Sequence, residues 1–241
     1  MSPQLSFKFR ESLTYSSDTF LIHEGVLPIT DTLVTLASEG RSGLVSVSGE
    51  VGTGKTHLAT FCAGTAQSLG KPARIMRGDD LVVKVARKQG PNGHHADRIQ
   101  AGEVVIVDDA DRWLQEPGSE GLFTAMADQV LQAKGLLVLM LVVPLTELQL
   151  SAQVKSRLAS GLHFSVGLPA ERYLDDILRA MTKQRGLRLT PAKRAFVLKR
   201  VPRTIPALNA YLTRLQQQLG ARDVLSTSFE ALNEALEGAH S

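Results

Sequence analysis

The chain has 241 residues, 43% of them hydrophobic and 21% charged, with a formal net charge of +3. This length and composition suit one α/β unit with a small appendage and exclude disorder as a general description. The longest apolar stretch, residues 135–145, is far shorter than the roughly 20 residues of a bilayer span. With no signal-peptide layout after Met1-Ser2-Pro3-Gln4 and a lone cysteine, Cys62, the expectation is a soluble cytoplasmic protein without disulfides.

In chain order, the first 40 residues read as an arm and lead-in. Within them, Gln4-Leu5-Ser6-Phe7-Lys8-Phe9 alternates, so that Leu5, Phe7 and Phe9 share one side of an extended segment. Those side chains suit either a partner's apolar pocket or the protein's own core. Short β-branched runs then alternate with helical patterns. Strands are predicted at residues 44–47, 74–76, 104–107, 136–143 and 163–166, and helices at 56–69, 79–88 and 121–134. The two longest strands are almost wholly apolar, as parallel strands buried on both faces must be. A doubly wound, five-stranded parallel α/β sheet follows.

Beyond residue 169 the strand signal stops. Helices are predicted at 170–185, 191–200, 204–219 and 229–236, with Thr190-Pro191 as a start and Gly186 and Gly220 as stops. The expected domains are an arm (1–14), an α/β nucleotide-binding domain (15–168) and a small all-helical lid (169–241). Residues 179–214 hold ten Lys or Arg and no Asp or Glu. Such a run fits an anionic neighbour or simply a solvated helix face.

Two segments carry chemistry. Gly49-Glu50-Val51-Gly52-Thr53-Gly54-Lys55-Thr56 fits the phosphate-binding pattern G-x-x-x-x-G-K-[ST], and it lies between a predicted strand and a predicted helix. Its glycines let the backbone N–H groups curl around phosphate, and the helix N-terminus adds partial positive charge. Lys55 would reach the β- and γ-phosphates and Thr56 would ligate Mg2+. About 50 residues on, the apolar strand Val104-Val105-Ile106-Val107 ends in Asp108 and Asp109. Asp108 is the candidate metal holder, and Asp109 the candidate group that orients attacking water. Asp109 is a methylene shorter than glutamate, so slow turnover is expected. His94-His95 has no Cys or Asp at ligand spacing and is not expected to bind zinc. Trp113 and Cys62 are expected to be packing residues.

Together these features resemble the AAA+ ATPases. Val107-Asp108-Asp109-Ala110-Asp111-Arg112 and Thr56-His57-Leu58 resemble the DnaA initiator clade, most of all its Hda-type regulators, over residues 15–236. The resemblance implies ATP or ADP with Mg2+ as ligands, with His57 counted in the cofactor-binding segment and packed at its helix start. The chain ends where initiators continue into a helix-turn-helix domain, which favours the regulator type.

Gln4-Leu5-Ser6-Phe7-Lys8-Phe9 resembles the hexapeptide that docks on the DNA polymerase sliding clamp (β clamp), with Gln4 bonding at the pocket rim. Ser156-Arg157-Leu158 resembles the segment carrying this clade's arginine finger, which implies that Arg157 acts in trans on ATP bound to DnaA. Implied partners are therefore DnaA, the clamp and, in some arrangements, a second copy of the chain. Two departures imply weak turnover by the chain itself. Met140-Leu141-Val142-Val143 stands where a polar sensor belongs, and Pro206 where a sensor arginine belongs, with Arg203 a turn earlier. A helicase loader or transposition ATPase of the DnaC/IstB type, binding single-stranded DNA, is the alternative. A non-catalytic scaffold stabilised by nucleotide is a further one.

Overall fold

A computed structural model of the chain describes residues 7–8, 14–15, 20–86, 99–219 and 227–237. The chain divides into two compact units. One is an α/β unit over residues 24–167, to which residue 20 also belongs. The other is a helical unit of residues 168–219 and 227–237, to which residues 7–8, 14–15 and 21–23 also belong.

Two short strands come first, β1 (Phe7–Lys8) and β2 (Thr14–Tyr15), paired antiparallel with Phe7 opposite Tyr15. Gln4, Leu5, Ser6 and Phe9 lie outside the described residues. Helix α1 (Leu27–Glu39) occupies part of the expected lead-in. Its signals are nonetheless in the sequence. Pro28 sits in the first turn, Ile29, Leu33, Leu36 and Ala37 form a buried stripe at helical spacing, and Gly40 closes the helix at φ 65°.

The α/β unit continues with β3 (Gly43–Ser48), α2 (Lys55–Ser68), β4 (Ala73–Arg77), α3 (Gly78–Ala86) and β5 (Val104–Asp108). It then runs through α4 (Ala110–Leu114), α5 (Ser119–Gln132), β6 (Leu136–Leu141), α6 (Ala152–Ala159) and β7 (Leu162–Ser165). The five strands β3–β7 are all parallel, in the order β4-β5-β6-β3-β7. Strand alternation splits the core in two. Val45, Val47, Ile106, Val138 and Met140 face α1 and α2, while Leu44, Val105, Val107, Leu137, Leu139 and Leu141 face α3–α6. Burial on both faces is why β5 and β6 read as unbroken apolar runs. Trp113, fully buried, packs against Phe123 in the second layer, and Cys62 is buried in the first.

Strand β6 stops at Leu141 rather than at the expected Val143. The next two N–H groups bond to the Asp111 carboxylate instead of to a neighbouring strand. The expected loop at residues 89–93, the end of the helix expected to reach residue 88, and His94-His95 lie outside the described residues.

In the helical unit a 3-10 turn (Glu171–Tyr173) precedes α7 (Leu174–Gln184), so the helix expected from residue 170 starts later. Then come α8 (Pro191–Arg200), α9 (Ile205–Leu219) and α10 (Phe229–Glu237). Thr190 caps α8 by accepting from the Lys193 N–H. The core is built on Leu178, Val197, Leu208, Tyr211, Leu212, Leu215 and Leu232, and the Tyr211 hydroxyl donates to the Leu232 carbonyl at 3.0 Å. Part of the basic run is drawn inward here. Arg194 is buried and forks onto Asp175 at 2.8 and 2.9 Å, and buried Arg185 donates to Met181 O and the Asn209 side chain. Among the described residues, no helix is long and apolar enough to cross a membrane.

Candidate functional site

Strand order creates the site. The strand before the phosphate loop, β3, and the strand ending in the paired aspartates, β5, flank the central β6, so their C-terminal ends open on the same edge of the sheet. Ligands of open parallel sheets bind at that edge. The loop from Gly49 to Gly54 turns there because Gly52 and Gly54 sit at φ 90° and 92°, a region L side chains rarely adopt. Gly49 is needed for a different reason. A Cβ on it would lie 2.6 Å from the Val166 carbonyl oxygen. Thr53 is buried and donates to the Glu50 carbonyl at 2.9 Å, which fixes the loop's shape from within.

Lys55 opens α2 and is buried, with its ammonium donating to the Gly49 and Glu50 carbonyls. Burial lowers its pKa, against the opposing pull of Asp109, Asp108 and Asp111. Thr56, next on the helix, donates from its hydroxyl to Oδ2 of Asp108 at 2.8 Å. Asp108 is 3% exposed, and its other oxygen, Oδ1, is buried with no hydrogen-bond partner among the described residues. Desolvation raises the Asp108 pKa, with the Thr56 hydrogen bond the largest opposing effect. A buried carboxylate oxygen without a donor is costly, and beside a threonine hydroxyl it makes a hard, all-oxygen donor pair. That chemistry fits Mg2+, which takes few protein oxygens and completes its shell from phosphate and water.

Asp109 has a left-handed backbone, φ 51°, at the start of α4. It is half-buried, and its charge acts on Lys55. The turn is pressed against the end of β4, because a Cβ on Gly78 would fall 2.1 Å from the Asp109 carbonyl oxygen. Gly78→Ala is therefore expected to destabilise the protein by about 1–3 kcal/mol and to weaken nucleotide affinity by displacing Asp108 and Asp109. Denaturant unfolding and a nucleotide titration check it.

Sequence reasoning missed Asp111. It is buried and accepts from the Val142 N–H with both oxygens, at 2.9 and 2.8 Å, and from the Val143 N–H at 3.2 Å. A carboxylate thus fixes the end of β6 beside the phosphate loop, where Met140 and Leu141 are fully buried. The only signal was its place in Val107-Asp108-Asp109-Ala110-Asp111, three residues after the metal candidate.

His57 rests edge-on against Phe20, ring centroids 5.3 Å apart. Arg157 on α6 forms a two-point ion pair with Asp128 on α5. Pro206 is the second residue of α9, and Arg203 pairs with Glu171 at 2.8 Å within the helical unit.

Domain III of the replication initiation protein DnaA from Thermotoga maritima superposes with a TM-score of 0.78 at 16% identity, covering 93% of this chain and 96% of that one. AMPPCP-bound DnaA from Aquifex aeolicus gives 0.70 at 16%, covering 94% and 69%. The Thermotoga maritima RuvB Holliday junction branch migration motor gives 0.64 at 18%, covering 93% and 72%. At such identities the likeness is one of fold, and that fold is the AAA+ architecture. No curated protein matches significantly. Residues 28–148, half of the chain, match the family described as IstB-like ATP binding protein. They contain the phosphate loop, the paired aspartates and Asp111, and on that match the chain belongs to the IstB-like ATP binding protein family.

Proposed function

We propose that the chain is a magnesium–nucleotide-dependent AAA+ protein of the loader or transposition type that itself binds single-stranded DNA. One observation carries the nucleotide part of this reading: the Thr56 hydroxyl bonded to Asp108, whose second oxygen is buried and has no partner among the described residues. Thr56 and Asp108 would hold Mg2+, which when bound draws charge from the phosphates and eases attack at the γ-phosphorus. Lys55 would exchange its loop carbonyls for phosphate oxygens. Asp109 would position the attacking water. Turnover is slow on this reading, because the side chains of residues 140–143 are apolar and the Val142 and Val143 N–H groups are engaged by Asp111. Family membership and the basic run in the helical unit support the DNA part.

The test is binding of labelled oligothymidylate by the full chain with Mg-AMPPCP, with Mg-ADP and without nucleotide. Affinity that differs between the nucleotide states is expected. No DNA binding, or binding indifferent to nucleotide, contradicts the loader reading.

A second reading, a clamp-tethered regulator that stimulates hydrolysis of DnaA-bound ATP, rests on Arg157. Its planar guanidinium is partly exposed and held by a partly exposed carboxylate, a pair that a phosphate could displace. On this reading Arg157→Ala abolishes stimulation of DnaA on clamp-loaded DNA while nucleotide affinity stays unchanged. Gln4→Ala/Leu5→Ala likewise loses capture by purified clamp. Undiminished stimulation by the Arg157 variant removes this reading.

A further inference from the structure

One face of the helical unit combines aromatic rings with cations. On α8, Lys193, Phe196 and Arg200 are spaced three and four residues apart and so share a stripe of the helix. The Arg200 guanidinium lies over the Phe196 ring, 3.7 Å from its centroid. Phe196 in turn meets Phe229, the first residue of α10, edge to face at 5.4 Å. The Lys193 ammonium stands 5.8 Å above the Phe229 ring. A cation thus closes each end of a two-ring row.

Phe229 is 48% exposed. A single exposed apolar side chain needs no explanation. A solvent-facing ring braced by a second ring, in a row with a cation at each end, is a different object. Arg200 is exposed and stacks on its ring without a carboxylate partner among the ion pairs of the described residues, unlike Arg194 and Arg203. On α10, Asn233 follows Phe229 by four residues and shares its stripe, while Glu230, Glu234 and Glu237 fall on the adjacent one.

We propose that this row is a docking site for single-stranded DNA, distinct from the phosphate loop. Phe229 stacks an unpaired base, the outer face of the Arg200 guanidinium stacks or bonds a neighbouring base or phosphate, and Lys193 neutralises the adjoining phosphate. Alternating ring and cation is the pattern of an unpaired strand, whose bases offer faces and whose linkages offer charge. An acidic protein partner would use the cations and leave the exposed ring without a role. The duplex hides its base faces and cannot use the ring. The inference rests on the loader reading above and names where the strand lies.

The test is fluorescence anisotropy of labelled oligothymidylate with the full chain and Mg-nucleotide, across a salt series. Phe229→Ala is expected to raise Kd about tenfold, whereas Phe229→Trp, which keeps a stacking face, binds like wild type. Lys193→Gln/Arg200→Gln is expected to flatten the slope of log K against log salt by about 0.7 per lost phosphate contact. All these variants are expected to keep wild-type affinity for Mg-ADP, which reports an intact α/β unit. Wild-type binding with all variants unchanged overturns the site and leaves the loader reading standing. Absence of oligothymidylate binding by wild type overturns both. Equal displacement of the probe by a duplex of the same length or by polyglutamate overturns the site in favour of a plain basic surface.

Discussion

Lys55→Ala is expected to raise the Kd for Mg-ADP by about 100-fold or more. Hydrogen bonds from a buried cation to phosphate oxygens contribute about 1.5–3 kcal/mol each, and tenfold corresponds to about 1.4 kcal/mol. Lys55 is 7% exposed, so water cannot substitute for the lost contacts. Its removal also leaves Asp109, Asp108 and Asp111 without the cation they share, and these three carboxylates would then repel the phosphates. Titration with a fluorescent nucleotide measures the effect. Wild-type affinity in the variant would sink the assignment of the loop.

Asp108→Asn is expected to have two effects of opposite sign. The charge that attracts Mg2+ is lost, so the gain in nucleotide affinity on adding Mg2+ should fall about tenfold or more. The ligand-free protein, in contrast, should become more stable, because a buried carboxylate with one unpartnered oxygen is replaced by a neutral group of the same shape. A gain of about 1 kcal/mol corresponds to a rise in Tm of roughly 2–4 °C at this chain length.

The pH dependence follows from the same burial. Asp108 titrates above its ordinary value of 3.8 in the folded chain. Its contribution to stability is therefore full below that pH and is lost as pH rises through the elevated folded value. Asp108→Asn should remove this part of the pH dependence of Tm in the ligand-free protein. A variant that is both less stable and unchanged in its Mg2+ response would contradict the metal role.

The contrast between what sequence shows and what only the fold shows runs through the site. The loop from Gly49 to Thr56 and the pair Asp108-Asp109 are legible because their chemistry lies in contiguous residues with a strand signal just before each. Strand β6 is equally legible, since two-sided burial writes itself as an apolar run. Asp111 is different. Its role depends on N–H groups about 30 residues away that no local pattern connects to it. The requirement for glycine at Gly78 arises only when the turn at Asp109 is folded against it. The basic run over residues 179–214 looks uniform in sequence. In the fold, Arg194 and Arg185 hold the helical unit together, Arg203 pairs with Glu171, and Arg200 lies on an aromatic ring. Pairing partners at long range separate structural charge from charge available to a ligand, and composition carries no trace of them.

On the proposed function, Thr56 and Asp108 form a seat for magnesium beside a phosphate-binding loop. That role is tested most directly by calorimetric titration of the full chain with ADP, in Mg2+ and again in excess chelator. Saturable one-to-one binding that tightens when Mg2+ is present is expected, with Thr56→Ala retaining binding but losing most of that tightening. Absence of heat in both conditions, or an affinity indifferent to the metal in wild type, would contradict it.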